Sequence, residues 1–146
     1  MIQRIQTIFL LLASACAFGL FALPFASSAV TPQAESIFAD GIYNIHDNMA
    51  LLVLYCAAGA MAFIGIFLYN NRKSQLLINR FGIIANVLGL VLTLWLVFQD
   101  GSISGDAEVQ EQLGIGLPIL FLVFAILAQR YINKDQKLVS SMDRLR

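Results

Sequence analysis

Charged residues are scarce in this sequence, and the scarcity argues against most soluble classes of protein. Asp, Glu, Lys and Arg make up 12% of the 146 residues, and hydrophobic residues make up 59%. A soluble domain carries about 25% charged and about 45–50% apolar residues. The composition therefore argues against a soluble globular domain, a disordered chain and a nucleic-acid binder that depends on bulk positive charge. One small membrane domain, residues 1–146, is the class that remains.

Residue types that commonly bind metals or carry catalysis are also few. The chain has one histidine, His46, and two cysteines, Cys16 and Cys56. A protein zinc site uses three or four such ligands, and a chain with one histidine cannot by itself supply two-histidine haem ligation. The sequence also contains no G-x-S-x-G, no H-E-x-x-H and no glycine-rich phosphate loop. We therefore expect no enzyme activity, no metal site and no cofactor.

Four long apolar segments predict membrane-spanning helices. A hydrocarbon core about 30 Å thick needs about 20 apolar residues in a helix. The segments lie at about 8–26, 49–69, 81–98 and 113–132. Each is continuously apolar, apart from residues 129–132, which extend the fourth toward the interface, and each is too long for the alternating strands of a membrane barrel. The sequence predicts an all-α integral membrane protein, a four-helix bundle followed by a cytoplasmic tail at 133–146.

The charges divide between alternate links, and the division predicts orientation. The links at 27–48 and 100–112 contain no lysine or arginine but seven acids: Glu35, Asp40, Asp47, Asp100, Asp106, Glu108 and Glu111. The opposite side holds all nine basic residues: Arg4, Arg72, Lys73, Arg80, Arg130, Lys134, Lys137, Arg144 and Arg146. Because short loops rich in lysine and arginine stay in the cytoplasm, both termini are predicted to be cytoplasmic.

The N-terminal segment has a second interpretation, as a cleaved secretory signal. Residues 1–29 combine an arginine, an apolar run and the small residues Ser27, Ser28 and Ala29, and residues 13–16 resemble a lipoprotein cleavage site. Signal cores usually contain 7–15 apolar residues. The longer run in this chain favours an uncleaved span, whereas cleavage would leave three spans and an outward N-terminus.

Polar side chains are few inside the predicted spans, and small residues recur at helical spacing. Asn86 lies well inside the third span, where we expect an interhelical hydrogen bond and keep a ligand contact as the alternative. The small residues on one face of the second and third spans are Ala58, Ala62, Gly65, Gly82, Ala85 and Gly89. Such faces let helices approach closely, either within the bundle or against a partner.

Two polar segments outside the spans carry further hypotheses. His46, with Glu35, Asp40 and Asp47, could form an outward acid–base or metal site, but the favoured interpretation is a helix entry capped by Asp47 or Asn48. In the tail, a short amphipathic helix is predicted because Leu138, Met142 and Leu145 share a helical face flanked by basic residues. Its alternatives are a solvated continuation of the fourth helix and a docking helix for a cytoplasmic partner.

Three stretches of the sequence resemble a known family. They are MIQRIQTIFLLLA at the start, YNNRKSQLLINRFGIIAN in the centre and INKDQKLVSSMDRLR at the end. The chain resembles the small bacterial membrane proteins grouped as domain of unknown function 4293 over nearly its full length. The resemblance implies a four-span inner-membrane protein of a Gram-negative bacterium and implies no activity.

These features together predict a non-catalytic accessory or scaffold subunit of an inner-membrane assembly. Its partners would be membrane lipids and other membrane proteins or further copies of the chain, and not nucleic acid. The candidate cytoplasmic interaction residues are Arg72, Lys73, Arg80, Lys134, Lys137, Arg144 and Arg146. The alternative is a small-molecule or lipid transporter that acts as an oligomer. Spans without ionisable groups argue against transport by a monomer, because ion and proton paths usually need such groups at depth.

Overall fold

A computed structural model describes residues 3–28, 42–103, 109–111 and 113–143. The fold is predominantly helical, with four α-helices and a small sheet. The helices are α1 (Gln3–Gly19), α2 (Met49–Phe67), α3 (Arg72–Ile103) and α4 (Gly116–Asp143). The strands are β1 (Ala26–Ser28), β2 (Ile42–Tyr43) and β3 (Val109–Glu111).

Three of the helical segments are long and apolar enough to cross a membrane. They are Met49–Asn70 with 22 residues, Arg72–Gln99 with 28 and Gly116–Val139 with 24. The apolar part of α1, Ile5–Gly19, is shorter. Length and composition therefore support a membrane protein with three clear spans, whereas the sequence predicts four.

The first predicted span, 8–26, is helical only as far as Gly19. The chain then turns, with Phe21 N donating to Phe18 O (3.1 Å) and Leu23 N to Gly19 O (3.2 Å). Pro24 has no backbone N–H to continue a helix, and Phe25 N instead donates to Tyr43 O at 2.9 Å. The apolar run reaches Ala26 because its last residues are buried in the core at the end of the helices.

The sheet brings the two acidic links, 27–48 and 100–112, together at the same end of the molecule. Its strand order is β2-β1-β3, and both pairings are antiparallel. Ala26 lies opposite Tyr43 on one side and Glu111 on the other. The turn before α4 also lies close to the backbone of Pro24. Gly114 N donates to Pro24 O at 3.2 Å, and a Cβ on Gly114 would collide with that carbonyl. We call this the sheet end.

The four helices contact one another in cyclic order. Helix α1 packs against α2 and α4, and α3 packs against the same two helices, less extensively against α4 than against α2. Small residues and Phe121 fill the middle: Ala13, Ala17, Ala58, Ala62 and Ala125. Many large apolar side chains point outward, as expected for a lipid-facing surface. They include Val53, Ile64, Leu88, Val91, Ile119 and Val123.

The helices extend further into the basic segments than the hydrophobic pattern indicates. The link between α2 and α3 is limited to residues 68–71, and α3 begins at Arg72, nine residues before the predicted span at Phe81. Within the described chain, α4 continues without interruption from Gly116 to Asp143, through most of the predicted tail. Hydropathy falls in these segments because they combine exposed basic residues with the buried polar residues Gln75, Asn79 and Asp135. Leu76, near the start of α3, is buried as well.

Candidate functional site

A row of polar side chains runs along the inward face of α3. Arg72, Asn79, Asn86 and Thr93 follow one another at intervals of seven residues, and Gln75 adds a fifth polar group. Seven residues are close to two helical turns, so the row keeps nearly one face for about 32 Å of helix. Apart from Arg72, its members are buried. We call these five residues the α3 polar row.

Three members of the row donate hydrogen bonds to backbone carbonyls of α4. Asn86 Nδ2 lies 3.0 Å from Pro118 O, Asn79 Nδ2 lies 3.0 Å from Ala125 O, and an Arg72 guanidinium nitrogen lies 3.4 Å from Asp135 O. A carbonyl oxygen has a second lone pair for such a donor even inside a helix. The row therefore joins the two neighbouring helices that pack least extensively against each other. Asn86 thus makes an interhelical hydrogen bond.

The α3 polar row also bonds to α2, through Thr93 and Gln75. The Thr93 hydroxyl donates to Gly89 O at 2.8 Å, so its single proton is committed. The Tyr55 hydroxyl, 3.1 Å from Thr93 Oγ1, is therefore the donor in that pair. Nearer the other end, Gln75 Nε2 donates to Gly65 O at 2.9 Å. Every member of the row thus contacts a neighbouring helix.

At the end opposite the sheet, a polar network joins three helices. Gln6 Nε2 donates to Asp135 Oδ2 at 3.0 Å and to Tyr131 O at 3.3 Å. An Arg72 guanidinium nitrogen lies 3.9 Å from the same carboxylate oxygen. The negative charge of Asp135 is thus compensated inside the fold and does not offset the exposed basic residues around it. We call this the basic end.

Two buried amide oxygens have no hydrogen-bond partner in the described part of the chain. They are Gln75 Oε1 and Asn86 Oδ1, and in each case the nitrogen of the same amide is bonded. An unsatisfied buried acceptor costs about 1–3 kcal/mol. The row is therefore a helix-joining feature that carries a local energetic cost at two positions.

The predicted small-residue faces point into the chain itself. Ala58, Ala62, Gly65, Gly82 and Gly89 are buried, and Ala85 is half-buried. A Cβ on Gly89 would lie 3.0–3.2 Å from the ring carbons of Tyr55, and one on Gly82 would lie 3.4 Å from Met61 Cβ. Close approach between helices of this chain uses most of these positions.

Five basic residues are exposed on the parts of α3 and α4 that approach the basic end. They are Lys73, Arg80, Arg130, Lys134 and Lys137, which we call the basic surface. The apolar side chains of Leu138 and Val139 are exposed beside them. Arg144 and Arg146 lie outside the described residues, as does Leu145 of the predicted tail stripe. The side chain of Met142, the third member of that stripe, is likewise not described.

His46 lies at the entry to α2, where Asp47 and Asn48 make capping contacts. His46 is exposed and packs edge-on against Phe21, with ring centroids 5.6 Å apart. The Asp47 carboxylate accepts from Asn44 N and caps a short 3-10 turn, while Asn48 caps α2 by accepting from Ala50 N at 2.9 Å. Glu35 and Asp40 lie outside the described residues.

Metal-binding residue types do not cluster in the described ranges. Within 3–28, 42–103, 109–111 and 113–143, no three His, Cys, Asp or Glu side chains come together. Cys16 and Cys56 are both free thiols on the helices, half-buried.

A cavity of about 90 Å³ lies between α3 and α4 in the half nearer the sheet. Leu90 and Leu94 of α3 and Ile115, Pro118 and Ile119 of the α4 side form its walls, and Phe25, Tyr55 and Thr93 close it toward the core. Its surface is almost wholly apolar. No feature of the sequence pointed to it, because it depends on how two helices are spaced.

These features define a small helical protein with three helical segments long and apolar enough to cross a membrane, joined in part by buried amides. A family model described as Domain of unknown function (DUF4293) matches residues 2–145, and the chain belongs to that family. No curated protein and no solved structure matches the chain. The resemblance stated from the three sequence stretches is confirmed.

The sequence predicts a helix contact at Asn86 and a cytoplasmic interaction at Arg72, and it predicts no role for the other three members of the α3 polar row. Gln75 and Asn79 precede the predicted span at 81–98, and Gln6 precedes the predicted span at 8–26, so hydropathy indicates no helix contact for them. The signal that could have found the row is the seven-residue spacing of Arg72, Asn79, Asn86 and Thr93. That spacing continues across the supposed boundary between link and span.

Proposed function

We propose that this protein is a non-catalytic accessory or scaffold subunit of a bacterial inner-membrane assembly. In this proposal it is a four-helix bundle with both termini in the cytoplasm, and it contacts its partner through the basic surface. The observation that carries the proposal is the separation of roles among polar groups. The buried residues of the α3 polar row bond to neighbouring helices. Asp135, the buried acid at the same end as the exposed basic residues, already contacts Gln6 and Arg72.

The distribution of charge supports the orientation. The acidic links join the sheet at one end, and Arg72, Lys73, Lys134 and Lys137 lie toward the other. The cytoplasmic side of inner-membrane proteins is the side enriched in lysine and arginine. On this rule the basic end faces the cytoplasm and the sheet end faces outward.

The lengths of the helices support a projection of the basic end from the membrane. From exposed Arg80 to exposed Phe98, α3 covers about 27 Å, close to the thickness of the hydrocarbon core of about 30 Å. Arg72 then lies about 12 Å beyond Arg80. The first turns of α3 and the last turns of α4 would therefore stand clear of the hydrocarbon, where a cytoplasmic partner can reach them.

The chemistry of the basic surface favours an acidic partner. Complementary charge speeds encounter and sets orientation more than it adds affinity. At physiological ionic strength its range is about 8 Å, so the partner must come close. The exposed Leu138 and Val139 offer an apolar contact beside the charges. Because the small-residue faces are buried within the chain, the accessory role rests on this surface.

Affinity purification with charge variants tests the proposal. A tagged chain is purified in mild detergent, and the proteins that co-purify with it are quantified by mass spectrometry. We expect at least one co-purifying protein whose recovery falls at least tenfold in the double variant Lys134→Glu/Lys137→Glu. The matched control, Lys134→Arg/Lys137→Arg, keeps the charge and should retain them. Recovery of the tagged chain alone would overturn the accessory role. If charge reversal leaves the recovery of co-purifying proteins unchanged, the basic surface is not the contact site.

A further inference from the structure

The cavity between α3 and α4 opens on the outside of the helices. Its back wall is formed by Phe25 and Tyr55, both fully buried. Its rim includes Leu94, which is 37% exposed, and Ile119, which is 53% exposed. A chain-like molecule approaching from the side could therefore enter it without passing through either end of the protein.

Two fixed points keep the cavity from collapsing. On the side of the basic end, Asn86 Nδ2 bonds to Pro118 O at 3.0 Å. On the side of the sheet, Gly114 N bonds to Pro24 O at 3.2 Å and holds the turn that precedes α4. An empty apolar space costs stability, because the side chains around it lose contacts that they would have in a filled core. A space held open by two bonded contacts favours an occupant.

The walls determine what the occupant can be. The polar side chains that line the cavity are Tyr55 and Thr93, and their hydroxyls bond to each other and to Gly89 O. The lining is otherwise hydrocarbon, so an apolar occupant fits it. A cavity needs about 10–15 Å³ to admit one group of the size of a water molecule, so a volume of about 90 Å³ has room for several methylene groups.

The surroundings of the rim determine where the occupant comes from. Exposed side chains next to the rim on both helices are apolar: Val91, Trp95, Leu120 and Val123. In a membrane, such a surface faces lipid. We propose that the cavity binds a segment of the hydrocarbon chain of a membrane lipid, from the leaflet next to the sheet end. The inference requires only insertion of the helices in a membrane and does not rest on the accessory role.

The depth of the cavity predicts which part of the chain it holds. Leu94 and Leu90 lie about 6 Å and about 12 Å along α3 from Phe98, the exposed aromatic residue taken as the membrane boundary. One leaflet contributes about 15 Å of hydrocarbon. The bound segment is therefore the middle of the acyl chain rather than its terminal methyl group.

Photolabelling with a phospholipid that carries a diazirine at mid-chain tests this inference. The full-length protein is placed in phosphatidylcholine vesicles with increasing fractions of the probe, photolysed, digested and analysed by mass spectrometry. We expect label at Leu90, Leu94 and the 115–119 segment that saturates at a low probe fraction. A probe with its diazirine at the terminal methyl should label this segment at least threefold less.

Cavity-filling variants separate a site from general contact with lipid. Leu90→Phe should reduce labelling of the 115–119 segment at least fivefold. Leu88→Phe is the matched control, because the same change is made on an exposed face of α3 outside the cavity, and it should leave labelling unchanged. Ile115→Phe is a second filling variant, should Leu90→Phe fail to fold. The proposal would be overturned by labelling that rises linearly with the fraction of probe and is as strong at Val91 and Val123 as at the cavity residues. Such labelling would also be unchanged by both filling variants.

Discussion

Replacing Gly89 by alanine should destabilise the protein, although alanine is the better helix former. A Cβ at this position would lie 3.0–3.2 Å from the ring of Tyr55. The ring cannot withdraw easily, because it is fully buried and its hydroxyl is bonded to Thr93 at 3.1 Å. Overpacking a core costs about 1–3 kcal/mol, and loss of an interhelical hydrogen bond adds about 0.6 kcal/mol. Alanine returns about 1 kcal/mol of helix propensity.

The expected net effect is a loss of about 0.5–2.5 kcal/mol in the free energy of unfolding. Gly82→Ala is the matched control on the same helix, because its Cβ would lie 3.4 Å from Met61 Cβ, at ordinary contact distance. It should be neutral or raise stability by up to about 1 kcal/mol. Reversible unfolding by sodium dodecyl sulfate in mixed micelles measures both. Equal effects of the two substitutions would refute the packing of Tyr55 against Gly89.

A double-mutant cycle separates the ring contact from other causes. In a Tyr55→Ala background the obstruction is gone, so Gly89→Ala should become neutral or stabilising. The coupling free energy between the two positions should then be about 1–3 kcal/mol, within the range for residues in contact. Additive effects would show that Gly89 is needed for a reason other than Tyr55.

Two further predictions concern the α3 polar row. Asn79→Ala should lower the free energy of unfolding by about 0.5–1.5 kcal/mol, because the bond to Ala125 O is lost. The exposed Asn70→Ala should change it by less than about 0.5 kcal/mol, and equal losses in the same micelle titration would contradict the assignment. In a chain with alanine at both natural cysteine positions, Thr93→Cys should resist a water-soluble maleimide, because this position is buried among helices. Rapid labelling of that cysteine in membranes would instead favour the oligomeric transporter.

The four helices could be predicted from hydropathy, but several of their ends could not. A continuous apolar run predicts burial in lipid or in a core, and it does not distinguish the two. Phe25 and Ala26 extend the first run, yet they lie in the core at the sheet end, so the helix stops earlier. Conversely, the segment after Arg72 is too basic to count as a span, yet it is helical because one of its faces remains buried.

The candidate contacts divide in a similar way. That Asn86 lies inside a span is visible in the sequence. Its acceptor, Pro118 O, is a backbone atom on another helix, and no side-chain pattern reveals it. Gln6 and Asp135 are almost the full chain apart, and their bond at 3.0 Å depends on α1 and α4 packing side by side. The α3–α4 cavity depends likewise on tertiary spacing.

The claim that the basic surface faces the cytoplasm, where a partner can bind it, is tested most directly by cysteine accessibility in cells. Single cysteines replace His46 at the sheet end or Lys137 at the basic end, both exposed, in a chain without Cys16 and Cys56. An impermeant maleimide added to intact spheroplasts should label the cysteine at position 46 and should reach position 137 only after lysis. Labelling of position 137 in intact spheroplasts, with position 46 protected, would contradict the account.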